Sequence, residues 1–266
     1  MSQPETIRLH CKALRLPTIS EVFDQTIALA ERESWSLETF LLQLCEQEVA
    51  GRQQRRIQRL LTEAHLPEGK TLAGFDQARL PLRLRRLIPE LATGALLNRA
   101  ENLLCFGLPG TGKTHLLAAL GYEWIHQNHS VLFTPTYKLV DGLLRAKRDF
   151  ALEPELRRLD RFDVVILDDI GYVQQSREEM EVLFTFLAER YERRSVAITS
   201  NLVFSEWSQI FKDPLTTAAA IDRVVHHATI IEFGPDMTSY RAEQANRRQR
   251  RLPEAAPVAQ PGPEPA

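Results

Sequence analysis

Apolar residues recur at two different periods along this 266-residue chain, and the change falls near residue 100. Before it, the spacing is three and four, the period of amphipathic helices. Ile19, Val22, Phe23, Ile27 and Ala30 form one stripe, opened by Thr18 and Glu21 at capping-box spacing. Leu37, Phe40, Leu41, Leu44 and Val49 form a second, with Ser36 as its cap and RQQRRIQRLL as its continuation, and His65-Leu66-Pro67-Glu68-Gly69 ends that helix. From Asn102, short apolar runs alternate with helix-period segments. NLLCFG, SVLFTPT, FDVVILDD, SVAITSN and ATIIEF read as strands; KTHLLAALGYEWIHQ, YKLVDGLLRAKRDF, REEMEVLFTFLAERYERR and PLTTAAAIDRVVHH read as helices. Strands that are apolar throughout, in βα alternation, predict a parallel sheet covered by helices on both faces.

The same pattern divides the chain. Residues 1–66 are a small helical domain expected to bind DNA or a partner, 67–98 a basic connector, 99–246 an α/β domain, and 247–266 a tail, basic and then Pro-rich. Five prolines in residues 253–266 predict a segment that buries no core. At 44% hydrophobic and 26% charged, the composition is that of a globular protein. Cys11, Cys45 and Cys105 form no CxxC pair, which argues against a disulfide framework or a zinc site and predicts a reducing cytoplasm. The start, MSQPETIRLHCKALR, lacks the apolar stretch of a secretory signal. No run approaches about 20 apolar residues, so no membrane partner is expected.

Gly107-Leu-Pro-Gly-Thr-Gly-Lys113-Thr114 matches G-x-x-x-x-G-K-[ST] between a predicted strand and a predicted helix. Glycines there let backbone N–H groups turn inward around phosphates, and the following helix points its positive end at the same spot. The expected nucleotide contacts are Gly107, Pro109, Gly110, Thr111, Gly112, Lys113 and Thr114; His115 closes the run, with simple packing as its alternative role. Lys113 is expected on the β- and γ-phosphates of ATP, and the Thr114 hydroxyl on Mg²⁺. Val164-Val-Ile-Leu-Asp168-Asp169 delivers two carboxylates to the end of a buried strand, where open α/β sheets bind ligands. Asp168 is expected to hold Mg²⁺ and Asp169 to polarise the attacking water; acidic caps on a turn are the alternative. Asn201, after another apolar strand, is placed to orient water or touch the γ-phosphate, unless it is turn chemistry.

Net charge is −2, but it is unevenly distributed. Residues 1–48 carry 4 Lys and Arg against 8 Asp and Glu, whereas residues 49–89 carry 9 against 3. That belt contains Arg52, Arg55, Arg56, Arg59, Lys70, Arg79, Arg83, Arg85 and Arg86. Such a cluster suits a nucleic-acid phosphate backbone, or is a solvated face. Arg247, Arg248, Arg250 and Arg251 form a second, smaller cluster. His226 and His227 are adjacent, so on a helix they are expected to point to different faces and not to chelate as an i, i+4 pair.

GLPGTGKTH, VVILDDIGY, LAERYERRSVAITSN, FSEW, AAAIDRVVHH and SYR, in this order, resemble the IstB-like ATPases, the transposition helper proteins of a bacterial insertion-sequence family and relatives of the DnaC helicase loader. The likeness spans roughly residues 10–242 and includes the connector LLTEAHLPEGKTLAGFD. It implies an AAA+ P-loop fold of the initiator type, with ATP between neighbouring subunits of a homo-oligomer. By that resemblance Asn201 is the sensor-1 residue, Arg223 the arginine presented to the neighbour's γ-phosphate, and Arg241 a sensor-2-like contact; spacing alone leaves both arginines as ordinary ion-pair partners. It further implies ATP-dependent assembly on target duplex DNA and recruitment of a cognate transposase. Asp169 stands where many AAA+ proteins have Glu, which predicts slow hydrolysis. The Gly234–Arg241 stretch is longer than the family's usual spacing. A replicative helicase loader and a small-molecule P-loop kinase are the competing readings.

Overall fold

The computed structural model describes residues 2–172, 176–207 and 214–234. Three helices open the chain: α1 (Gln3–Ala13), α2 (Pro17–Glu33) and α3 (Leu37–Ala64). Ser36 caps α3 as expected, its Oγ accepting from the Thr39 amide at 3.2 Å. The capping box expected at Thr18 and Glu21 does not form. Helix α2 starts two residues earlier, at Pro17 with Leu16 in the cap position, and the amides of Thr18 and Ile19 donate instead to Glu48 Oε2 of α3, at 2.9 and 3.1 Å. A buried carboxylate from the neighbouring helix is the stronger acceptor for orphan N–H groups at a positive helix end.

Helix α3 runs 28 residues without a break and does two jobs. Its outer half packs along α2 through Leu44 and Glu48, leaving Leu37, Leu41 and Val49 exposed, so the stripe expected on one face is only partly covered. Its inner half carries Leu60 and Ala64 into the core of the α/β domain beside Leu103, Leu116 and Trp124. Arg56 Nη2 adds a bond to the Asn128 carbonyl at 3.2 Å. The connector is itself largely helical, with a 3₁₀ turn at Gln77–Arg79, α4 (Leu82–Ala92) and α5 (Ala95–Asn98).

Five strands follow: β1 (Asn102–Gly107), β2 (Val131–Pro135), β3 (Val164–Asp168), β4 (Ser195–Ser200) and β5 (Ala228–Phe233). They form one all-parallel sheet in the order β2-β3-β4-β1-β5. The expected covered parallel sheet is therefore present. Helices α6 (Lys113–His126), α7 (Thr136–Arg148), α8 (Leu152–Leu159), α9 (Arg177–Arg190) and α10 (Pro214–Val225) supply most of the two outer layers. Alternation along β1 shows both cores: Leu103 and Cys105 face α4, α5 and α6, while Leu104 and Phe106 face α7, α9 and α10. Because β1 sits between β4 and β5, the crossover direction reverses beside it, which opens a crevice at the carboxyl ends of the strands.

The opposite, amino-terminal edge of the sheet is tied by a buried guanidinium. Arg190, 2% exposed, donates to the carbonyls of Leu159, Phe162, Asp163 and Ser195 at 2.9–3.3 Å. Burial pushes its pKa down to about 10, opposed by the charge of Asp160. Asn102 is a second tie, donating to the Val224 carbonyl at 2.9 Å and accepting from the Val196 amide at 2.8 Å.

Candidate nucleotide-binding site

The Gly107–Thr114 loop joins the end of β1 to the start of α6, as the spacing predicts. Its conformation demands glycine at two positions. Gly107 has φ +147°, and a Cβ there would lie 2.6 Å from Phe233 Cβ and 2.7 Å from its carbonyl oxygen. Gly112, at the amino end of α6, has φ +108° and would meet Phe75 at 3.1 Å. Both φ values are costly for any residue with a Cβ. Thr111 Oγ1 closes the loop on itself by donating to the Leu108 carbonyl at 2.8 Å.

Lys113 is buried, and its ammonium is the hub of the site. Nζ donates to the carbonyls of Gly107 and Leu108 at 2.6 and 2.9 Å and to Asn201 Oδ1 at 2.7 Å. Asn201, one residue beyond β4, turns its Nδ2 to both oxygens of Asp169, at 3.0 and 3.2 Å. Asp168, the last residue of β3, accepts on one oxygen from Thr114 Oγ1 at 2.7 Å and from Thr199 Oγ1 at 2.8 Å. The ends of two strands, β3 and β4, and the start of helix α6 thus bring Lys113, Thr114, Asp168, Asp169 and Asn201 to one point.

Asp169 has left the strand; φ of +58° swings it towards Asn201, and its amide donates to Thr199 Oγ1 at 2.8 Å. Burial, and then the charge of Asp168, push its carboxyl above the usual range, against the pull of Lys113 and the Asn201 amide. A carboxyl so raised holds a proton more readily than an ordinary carboxylate does. The Thr114 hydroxyl and the Asp168 carboxylate are hard oxygen donors in mutual contact, a donor set that fits Mg²⁺.

The cleft here has a volume of about 300 Å³. Its far wall is the connector, which sequence patterning did not single out for this role. Phe75 and His115 lie with ring centroids 5.1 Å apart, and His115 Nε2 is 3.1 Å from the Thr71 carbonyl. His115 thus both follows the phosphate loop and clasps the connector onto it. Lys70 and Arg79, two members of the basic belt, line this cleft.

The other belt residues lie apart from the cleft, and all are exposed. Arg52 and Arg55 both pair with Glu48 Oε1, at 2.9 and 3.2 Å, and also reach the Arg15 carbonyl and the Thr18 hydroxyl. Arg59 faces Glu63 at 3.9 Å. Arg83, Arg85 and Arg86 lie on α4. Arg223, on α10, lies with its guanidinium 4.8 Å from the Phe184 ring and donates to the Ala219 carbonyl at 3.2 Å, away from the cleft of its own chain. Arg241, Arg247, Arg248, Arg250 and Arg251 lie outside the described residues. The expectation that His226 and His227 diverge is corrected. Helix α10 ends at Val225, so helical periodicity does not govern them, and their ring centroids are 4.1 Å apart.

Among the described residues no helix is long and apolar enough to cross a membrane. The IstB-like ATP binding protein family matches residues 9–249. An insertion-sequence protein of Sinorhizobium fredii (strain NBRC 101917 / NGR234), named for ATP binding, is 44% identical over 243 residues, covering 91% of this chain and 82% of that one. An insertion sequence IS21 protein of Pseudomonas aeruginosa, also named for ATP binding, is 37% identical, covering 87% and 86%. Among solved structures, the DnaC helicase loader aligns with a TM-score of 0.51 at 17% identity, over 66% of this chain and 99% of that one. AMPPCP-bound DnaA from Aquifex aeolicus aligns with a TM-score of 0.53 at 17% identity, over 73% and 58%. The two structural likenesses show a shared fold, the parallel sheet with flanking helices.

Proposed function

The chain belongs to the IstB-like ATP binding protein family, and on that premise we propose that it is an ATP-hydrolysing helper of insertion-sequence transposition that assembles on target duplex DNA and recruits the transposase. The observation that carries the nucleotide part is the linked set Lys113–Asn201–Asp169 with Thr114–Asp168 at the carboxyl edge of the sheet. Lys113 and the inward N–H groups of the glycine loop neutralise the β- and γ-phosphates of ATP. Phe75 offers the base an apolar wall. Thr114 and Asp168 hold Mg²⁺, which when bound screens the phosphate charge. Asp169 accepts the proton of the attacking water, while Asn201 keeps that carboxylate aimed.

Arg223 lies away from the cleft of its own chain, where Arg79 is the arginine in the lining. That supports assembly, with Arg223 of a neighbouring copy completing the site. The exposed guanidiniums of the belt outside the cleft, those of Arg83, Arg85 and Arg86 above all, support contact with DNA phosphates. The two relatives described above are both insertion-sequence proteins by name, which favours transposition over helicase loading.

One experiment tests the reading as a whole. ATP turnover of the purified full chain is measured with and without duplex DNA, across protein concentrations. Turnover that rises with DNA and more than linearly with protein supports it; turnover indifferent to both overturns the assembly model.

A further inference from the structure

Outside the nucleotide cleft, one group among the described residues brings three ligand-type side chains together. Glu192, His226 and His227 each offer a donor atom within 4.8 Å of the others. Glu192 lies in the turn between α9 and β4; the two histidines follow α10 in the turn that leads to β5. Both turns lie at the amino-terminal edge of the sheet, away from the phosphate loop. Both also fall within stretches that carry the family resemblance, LAERYERRSVAITSN and AAAIDRVVHH, and the nucleotide site uses neither turn.

The distances are those of a site that closes on an ion. Glu192 Oε1 stands 3.9 Å from His226 Nδ1 and 3.6 Å from His227 Nε2. These gaps are too long for hydrogen bonds. In a tetrahedral zinc site, with bonds of about 2.0–2.1 Å, adjacent donors lie about 3.3 Å apart. Bringing the carboxylate to both rings therefore asks for about 0.3 to 0.6 Å from side chains that are half exposed, and the two ring nitrogens, within 4.8 Å of each other, must draw together as well. Two imidazoles and one carboxylate are the donor set of borderline divalent cations, with the solvent side open for water as a fourth ligand. The Tyr191 hydroxyl lies 2.8 Å from His226 Nδ1 and occupies that nitrogen in the metal-free chain, so it must release Nδ1 before that atom can take an ion.

We propose that Glu192, His226 and His227 form a binding site for a zinc-class divalent cation. The ion pins the turn before β4 to the end of α10. Arg223 lies on that helix one turn earlier, so the bound ion fixes the helix that carries it without touching the phosphate loop. The proposal does not depend on the reading of the nucleotide site.

The test is direct zinc binding. The full-length chain, free of any affinity tag and stripped with a chelator, is titrated with zinc chloride against a chromophoric chelator in excess Mg²⁺, which occupies oxygen-rich sites. Uptake of one ion per chain is expected. The double replacement His226→Ala, His227→Ala and the single Glu192→Gln are each expected to weaken uptake at least roughly tenfold, the cost of losing even an outer-shell partner. Glu192→Gln keeps the side chain's shape at an exposed position, so its result stands even if the double variant folds poorly. A wild-type chain that takes up no zinc, or one whose affinity survives Glu192→Gln, overturns the site.

Discussion

The ammonium of Lys113 stands 2.7 Å from Oδ1 of Asn201, and the amide nitrogen of the same asparagine reaches Asp169 at 3.0 Å. One side chain at the end of β4 therefore spans the loop cation and the acidic pair. When a γ-phosphate draws Lys113 to itself, Asn201 loses one partner and is free to read the change. Asn201→Ala should leave ATP affinity within about threefold and slow turnover by about 10²-fold, the pattern of an interaction spent on the transition state. Fluorescent-nucleotide titration and steady-state turnover on the same preparation separate the two. An equal loss in both would make Asn201 a binding residue only.

Asp169 makes a prediction with a sign. Its carboxyl is raised by burial and by Asp168, so the protonated form is better tolerated in the folded chain than in the unfolded one. The stability this gives is present in acid, below the ordinary carboxylate range, and is lost as pH rises through the raised value. At neutral pH the ionised side chain costs stability. Asp169→Asn should thus melt no lower than wild type at pH 7 while its turnover falls about 10²- to 10⁴-fold. Thermal melts from pH 5 to 8, with turnover alongside, check both halves. Wild-type turnover should also fall on acidification before an ordinary carboxylate would protonate.

Arg223 should act across subunits. Arg223→Ala chains ought to bind ATP normally and hydrolyse it poorly, whereas Lys113→Ala chains should bind at least about 100-fold more weakly for want of a charge-assisted contact. Mixed, the two restore activity at interfaces where an intact loop faces an intact arginine. Co-assembled mixtures with no recovery would locate the arginine within its own chain's site.

The basic belt must be tested away from Glu48. That carboxylate is 5% exposed and holds the Thr18 and Ile19 amides together with Arg52 and Arg55. Burial alone would raise its pKa; the bonds from Arg52, Ile19 and Thr18 outweigh it and hold the carboxyl below its usual value. Its contribution is therefore present at neutral pH and lost as pH falls through the lowered value. Glu48→Ala should cost about 1–3 kcal/mol, read by denaturant unfolding. Replacing Arg52 and Arg55 would disturb the same knot. Arg83, Arg85 and Arg86 changed together to Gln should instead flatten the slope of log affinity for duplex DNA against log salt by up to about 0.9 per lost contact. An unchanged slope in anisotropy titrations would move the DNA surface elsewhere.

The strands, the phosphate loop and the acidic pair were legible because each is local. Val164–Leu167 is apolar by composition, and the loop motif fixes its own spacing. What spacing did not reveal were the relations made across the chain. Nothing near Thr18 announces that Glu48 will cap α2, and nothing in the Lys70–Leu80 stretch says that Phe75 will wall the cleft. The adjacent histidines misled for a related reason: helix period was extended two residues past the point where α10 stops. Arg190 reads as one more surface charge until four carbonyls are seen around it.

Helix α3 has a mechanical consequence. Its 28 residues make a rod of about 42 Å. One end is clamped in the core beside α6, where Leu66 just beyond it lies close against Gly121, and the other carries α1 and α2. Such a rod is a lever whose helix is continuous, with Gly51 near its middle as its single glycine. A tilt of about 5° at the clamped half moves the outer half by about 2 Å over its roughly 20 Å reach. The first two helices and the helix that begins with Lys113 are therefore packed against opposite ends of one helix.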